Sequence, residues 1–189
     1  MGGHHAYRVR YVFKTTKGRT SYEYQRFFRA IYGYTQVVAK ANGKKYTYRR
    51  EGVLTAYPYV KEGKSVVVIP ENALTALVDF FKTRRNPAHV FEYVGEWRVS
   101  YSIEETYVPT NAVIDAILRA LDRIYVPTGD GEAPASTLLR SVRRLDNNTA
   151  AQLISRLSGV LESSWYKETR HVFTWSRDLE DLLAQFKPV

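Results

Sequence analysis

TQVVAKANGKKYTYRR, residues 35–50, is the stretch on which the fold turns. Asn42-Gly43 tolerates the positive φ angles of a tight two-residue turn, the strongest short signal for a hairpin. Such a turn pairs Ala41 with Lys44, Ala39 with Tyr46 and Val37 with Tyr48. One face then carries Val37, Ala39, Tyr46 and Tyr48. The other carries Gln36, Lys40, Lys45, Thr47 and Arg49, with Val38 among them. Two tyrosines and four cations (Lys44, Lys45, Arg49, Arg50) fall within residues 44–50. The stretch is either a surface for nucleic acid or a strand with rings in the core and charges in water.

Working outward, YRVRYVF (7–13) alternates in the same way. Tyr7, Val9, Tyr11 and Phe13 point one way, and Arg8, Arg10 and Lys14 point the other, as in a half-buried strand. EWRVSYSI (96–103) repeats the pattern more weakly, with Trp97, Val99, Tyr101 and Ile103 opposite Arg98, Ser100, Ser102 and Glu104. HVFEYV (89–94) and SVVVI (65–69) read as further strands, and VLTAYPYV (53–60) as an extended segment around Pro58. KEGK (61–64) reads as a turn.

Two amphipathic helices interrupt the strands. Tyr24, Phe27, Phe28 and Ile31 stripe residues 22–32, between a Ser21 cap and a terminating Gly33. Leu74, Leu77, Val78 and Phe81 stripe residues 71–82. These helices are the natural cover for the apolar side of an antiparallel sheet, which assigns Tyr46 and Tyr48 to that buried side.

The second half changes character. Thr110 caps a helix striped by Val113, Ile117, Leu121 and Ile124, and VPTGDGEAP (126–134) is a linker or long loop. Pro134 opens another helix, Asp146-Asn147-Asn148 forms a capping turn, and Leu153, Leu157 and Val160 stripe the next helix. RHVFTW (170–175) reads as a short strand, and Ser176 caps a last helix. The expected fold class is α+β: an antiparallel sheet with one face covered by helices, followed by a helical C-terminal region. Residues 1–107 form the basic, tyrosine-rich sheet region and 108–189 the helical region.

Charge follows the same division. Residues 1–85 hold 17 Lys and Arg against 5 Asp and Glu, while residues 86–189 hold 11 against 14. Ten of the 15 tyrosines lie in the first 59 residues. A basic, aromatic half beside a near-neutral half points to a nucleic-acid partner. Phosphates recruit Lys and Arg through counterion release, and single strands also need ring faces for their bases. The candidate contacts are Arg8, Arg10, Lys40, Lys44, Lys45, Arg49, Arg50 and Arg98, with Tyr57 and Tyr59 as stacking rings beside Pro58. Tyr32 and Tyr34, which bracket Gly33, are further ring candidates. Single-stranded DNA or RNA is the preferred partner because tyrosine is abundant in the basic half.

Two other readings stand beside this one. Residues 134–175 fit a winged helix–turn–helix for duplex DNA, with Arg156 on the recognition helix and 170–175 as the wing. A positive face that meets an acidic protein is the third. The C-terminal helices brace the fold or form a homodimer.

For catalysis the sequence offers little. Cysteine is absent, which removes disulfides, thiolate nucleophiles and cysteine metal sites. His4 and His5 follow Met-Gly-Gly at the start and are set aside; His89 and His171 stand without ligand-spaced neighbours. Glu62-Gly63-Lys64 matches the end of a nuclease E-x-K pattern but lacks an upstream acid. Glu104-Glu105 and Asp178, Glu180 and Asp181 are ordinary surface acids. Walker, dinucleotide-binding and zincin motifs are missing, as is the glycine-aromatic signature of the RNA-recognition module. The expectation is a non-enzymatic, cytoplasmic protein with no cofactor and no metal. No apolar run is long enough to cross a bilayer, and no signal-peptide pattern opens the chain. One Met, no Cys and 18 Arg against 10 Lys give the composition a thermophile-like cast.

Overall fold

A computed structural model describes residues 2–14, 18, 21–85 and 98–186. The fold is α+β, with antiparallel strands throughout and a helical C-terminal region. Strand β1 (Gly3–Lys14) is central. It pairs with β5 (Val66–Ile69) on one side and with β6 (Arg98–Pro109) on the other, and β4 (Val60–Gly63) completes the order β4-β5-β1-β6. The register Val9↔Ile103, Tyr11↔Tyr101 and Phe13↔Val99 puts the expected apolar residues of both long strands on one face. The predicted strands at 89–94 and around Trp97, together with His89, lie outside the described residues.

Helices α1 (Tyr22–Tyr32) and α2 (Glu71–Thr83) cover the β1 and β5 part of that face, as their stripes require, while Tyr101 and Ile103 of β6 stay exposed. Val9, Tyr11, Phe13, Phe27, Ile31, Leu77 and Phe80 are buried together. Ser21 accepts from the Tyr24 amide and Gly33 closes α1 with φ +74°, both as read from sequence. The rings of Phe13 and Phe27 stack at 4.7 Å, and the Tyr11 and Tyr32 hydroxyls share a 2.8 Å hydrogen bond. Burial pushes the Tyr11 phenol up to about 12 and Tyr32 higher still.

The opposite sheet face is closed at one end. Ala6, Val68 and Val108 point away from α1 and α2 and join a second apolar cluster. That cluster is built from α3 (Thr110–Arg123), α4 (Ala135–Leu139), α5 (Asn147–Leu161), α6 (Ser164–Thr169) and α7 (Ser176–Gln185). Trp165, fully buried there, donates from its indole to the His5 carbonyl at 2.9 Å. Asp146 caps α5 by accepting from the Thr149 amide, and this bonding holds its carboxyl below the usual range.

Local expectations change in five places. Residues 53–56 form a turn rather than an extended run, with Thr55 donating its amide to Gly52 and with Val53 and Leu54 buried. The β4–β5 turn moves from 61–64 to Lys64-Ser65 because Lys61–Gly63 pairs with β5 through an irregular step. Residues 126–134 are not a loop but a second hairpin, β7 (Tyr125–Thr128) and β8 (Gly131–Pro134). Residues 170–172 form a 3-10 turn, so the predicted strand at 170–175 is absent. Thr110 and Ser176 are first helical residues rather than caps; Pro109 and Trp175 occupy those places. Among the described residues, no helix is long and apolar enough to cross a membrane.

Candidate nucleic-acid interface

The hairpin of β2 (Tyr34–Ala39) and β3 (Lys45–Arg50) is a separate two-stranded ribbon, not a part of the four-stranded sheet. Its turn is one residue longer than expected. The Gly43 amide donates to the Lys40 carbonyl, and the Lys40 amide donates to the Lys44 carbonyl. Gly43 alone in the loop takes positive φ, at +77°, while Asn42 Oδ1 accepts from the Lys44 amide at 3.1 Å. This is the three-residue loop with a bulging glycine, not the two-residue turn. The register becomes Val38↔Tyr46, Gln36↔Tyr48 and Tyr34↔Arg50.

That slip of one changes which residues share a face. Tyr46 and Tyr48 now lie with Gln36, Val38 and Arg50, and Val37 and Ala39 lie opposite with Lys45, Thr47 and Arg49. The buried assignment of the tyrosines fails with the register. All six residues of β3 are exposed, with Tyr46 at 39% and Tyr48 at 44%. The helical stripes that could have covered them are already spent on β1 and β5. Lys40 Nζ stands 4.7 Å from the Tyr46 ring centroid, so cation and ring form one amphipathic surface.

The base of the ribbon is held firmly. Val53 and Leu54 donate their amides to the Ala30 and Ile31 carbonyls at the end of α1. There Gly33 and Gly52 cross at close range, and a Cβ on Gly52 would stand 2.2 Å from the Gly33 nitrogen. Arg49 stacks over Tyr125 at 3.6 Å and bonds Glu132 at 3.0 Å, tying the ribbon to the β7–β8 hairpin. Arg156 on α5 bonds Glu51 at 2.9 Å just beyond β3.

The predicted contacts therefore separate into groups. Lys40, Lys44, Lys45 and Arg50 gather on the ribbon, and Arg49 is engaged at its root. Arg10 and Arg98 lie exposed on the second face of the sheet, where Lys14 pairs with Arg98 across the strands. Arg8 on that face is neutralised, donating to both Glu62 oxygens at 2.8 and 3.1 Å with Glu104 3.7 Å away. Glu62, whose carboxyl Arg8 holds below its usual range, is thus an ion-pair partner. The open sheet face is a broken strip and not the continuous basic band that three neighbouring strands would have made. Tyr57 and Tyr59, expected as open rings, are half-buried against the first core. Tyr59 lies 4.3 Å beneath the Arg123 guanidinium, and the Tyr57 phenol is raised by burial.

Sequence reasoning missed the cleft at the root of the ribbon. It has a volume of about 570 Å³ and lies where α1, the ribbon, α3, β7–β8 and α5 meet. Arg49, Arg50, Arg123 and Arg156 line it with Tyr32, Tyr34 and Tyr125. Arg123 is its least satisfied member. One guanidinium nitrogen donates to the Tyr57 carbonyl at 3.2 Å, but buried Nε has no partner, and desolvation lowers its pKa. The available signal was spacing: Arg123 follows buried Ala116 and Ala120 by seven and three positions, so it belongs to the inward stripe of α3. Among the described residues, no group of three His, Asp or Glu side chains is placed to hold a metal ion. No protein-family model, curated protein or solved structure matches the chain.

Proposed function

We propose that the protein binds nucleic acid, with single strands preferred, through the β2–β3 ribbon. The observation that carries this reading is the exposure of Tyr46 and Tyr48 on a ribbon that also bears Lys40, Lys44, Lys45 and Arg50. Exposed rings beside cations suit bases and phosphates together. Stacking contributes about 1–3 kcal/mol per base, and each neutralised phosphate adds affinity that falls with salt. An isolated two-stranded hairpin is marginal in water, so an extended ribbon anchored only at its root is a natural ligand-binding arm. The chain uses no catalytic residue in this role.

The ribbon also favours a second reading, in which it enters a duplex groove. Both of its faces are free along most of its length, and a two-stranded ribbon fits the roughly 12 Å major groove. The winged-helix alternative has less support, because Arg156 is paired to Glu51 and residues 170–172 form a turn.

Fluorescence anisotropy with labelled single-stranded DNA, single-stranded RNA and duplex DNA across a salt series tests these readings. The expected result is tightest binding to a single strand, with a log–log salt slope of about −0.7 per phosphate contact. Replacing Tyr46 and Tyr48 by Ala should weaken binding by about 1–3 kcal/mol for each base that stacks. Reversing Lys44 and Lys45 to Glu should flatten the salt slope. Tighter duplex binding favours groove insertion. Weak binding to all three that vanishes at physiological salt removes the nucleic-acid reading and leaves an acidic protein as the partner.

A further inference from the structure

The cleft at the ribbon root carries more cation than its own carboxylates satisfy. Glu132 takes Arg49 and Glu51 takes Arg156. Asp122, the third carboxylate of the lining, acts on Arg123 through space without forming an ion pair. Among the described residues, Arg50 and Arg123 therefore line the cleft with no carboxylate paired to them. A guanidinium sunk against Tyr59, with one terminal nitrogen on the Tyr57 carbonyl and no paired carboxylate among the described residues, is costly unless an anion in the cleft offsets its charge. The planar fork of Arg matches a phosphate with two parallel hydrogen bonds, and a phosphomonoester carries a charge of about −1.5 to −2 at neutral pH. The rings of Tyr34 and Tyr125 line the same space. A volume of about 570 Å³ falls in the range of small-ligand sites.

We infer that this cleft binds the phosphomonoester of a nucleotide, with Arg50 and Arg123 on the phosphate and a cleft tyrosine against the base. The inference rests on the nucleic-acid reading for its ligand class, and on the cleft alone for its chemistry. The phosphate arrives either on a free nucleotide or on the end of a strand held by the ribbon.

Isothermal titration calorimetry of the full chain with AMP, adenosine and inorganic phosphate tests the site. Anisotropy with oligonucleotides bearing 5′-phosphate, 3′-phosphate or hydroxyl ends identifies the source. AMP should bind one to one, with adenosine and inorganic phosphate each at least tenfold weaker. Arg123→Gln and Arg50→Gln should each weaken AMP at least tenfold. Arg50 is exposed, so its variant keeps the test valid if Arg123→Gln does not fold. A tenfold preference for a phosphorylated end assigns the site to strand termini, and AMP binding without that preference assigns it to free nucleotides. The inference is overturned if inorganic phosphate matches AMP, or if both Arg variants bind AMP like the parent. Binding of hydroxyl-ended oligonucleotide without AMP overturns this inference and spares the ribbon; AMP binding without any oligonucleotide overturns the ribbon reading and spares the cleft.

Discussion

Strands β1 and β3 are written in the same alphabet and meet opposite fates. YRVRYVF and KKYTYRR both interleave two tyrosines with cations. In β1 the apolar set is buried: Val9 is 0% exposed and Tyr11 1%. In β3 all six residues are exposed. The difference lies in what each strand finds beside it. β1 is flanked by β5 and β6 and roofed by α1 and α2, whereas among the described residues β3 pairs only with β2. Alternation specifies a strand and its two faces. It does not specify that anything covers either face, and a ring left uncovered next to a cation is free for a ligand.

The largest expected contrast is in stability. Tyr11→Ala removes a fully buried ring and its bond to Tyr32, and should cost about 3–5 kcal/mol in urea unfolding. A cost near that of a surface change would break the comparison from the β1 side. Gly52→Ala should come next. Its Cβ would collide with the Gly33 nitrogen and the Ile31 carbonyl, so about 1–3 kcal/mol of overpacking is expected, with ligand binding impaired because the ribbon root shifts. An unchanged melting curve would mean that the ribbon is not pinned at this crossing.

The buried tyrosines sharpen the contrast through pH. Tyr11 has a folded-state pKa raised to about 12, above its unfolded value near 10, and Tyr32 is raised further. Their contribution is fully present below pH 10 and is lost as pH rises through 12. Stability should therefore be flat to about pH 10 and fall steeply above it, and Tyr11→Phe should make that fall shallower. A fall equally steep in Tyr11→Phe would place the alkaline sensitivity elsewhere. The smallest effect belongs to the ribbon: Tyr48→Ala should change stability by less than about 0.5 kcal/mol, since the ring touches no core cluster. A loss of several kcal/mol would show that Tyr48 is structural.

Much of the fold was legible because it follows from periodicity. The stripe of Tyr24, Phe27 and Ile31 and the alternation of Val9, Tyr11 and Phe13 located α1, β1 and the core between them. The β2–β3 register was missed because Asn42-Gly43 permits loops of two or three residues, and only the Lys40–Gly43 and Lys40–Lys44 bonds decide between them. The β7–β8 hairpin was missed because its four-residue strands are interrupted by Pro127 and Pro134, which read as loop. The candidate cations were found but not their partners. Glu62 lies 54 positions from Arg8, and Glu132 lies 83 from Arg49, separations that no local pattern reports. The Arg-lined cleft is assembled from five parts of the chain and has no signature in any one of them.

Hydrogen exchange of backbone amides with and without a single-stranded oligonucleotide locates the binding arm. The ribbon amides of residues 34–50 should exchange fast in the free protein and become protected on binding, while β1 is protected in both states. No gain of protection across residues 34–50 on binding would contradict the ribbon as the binding arm.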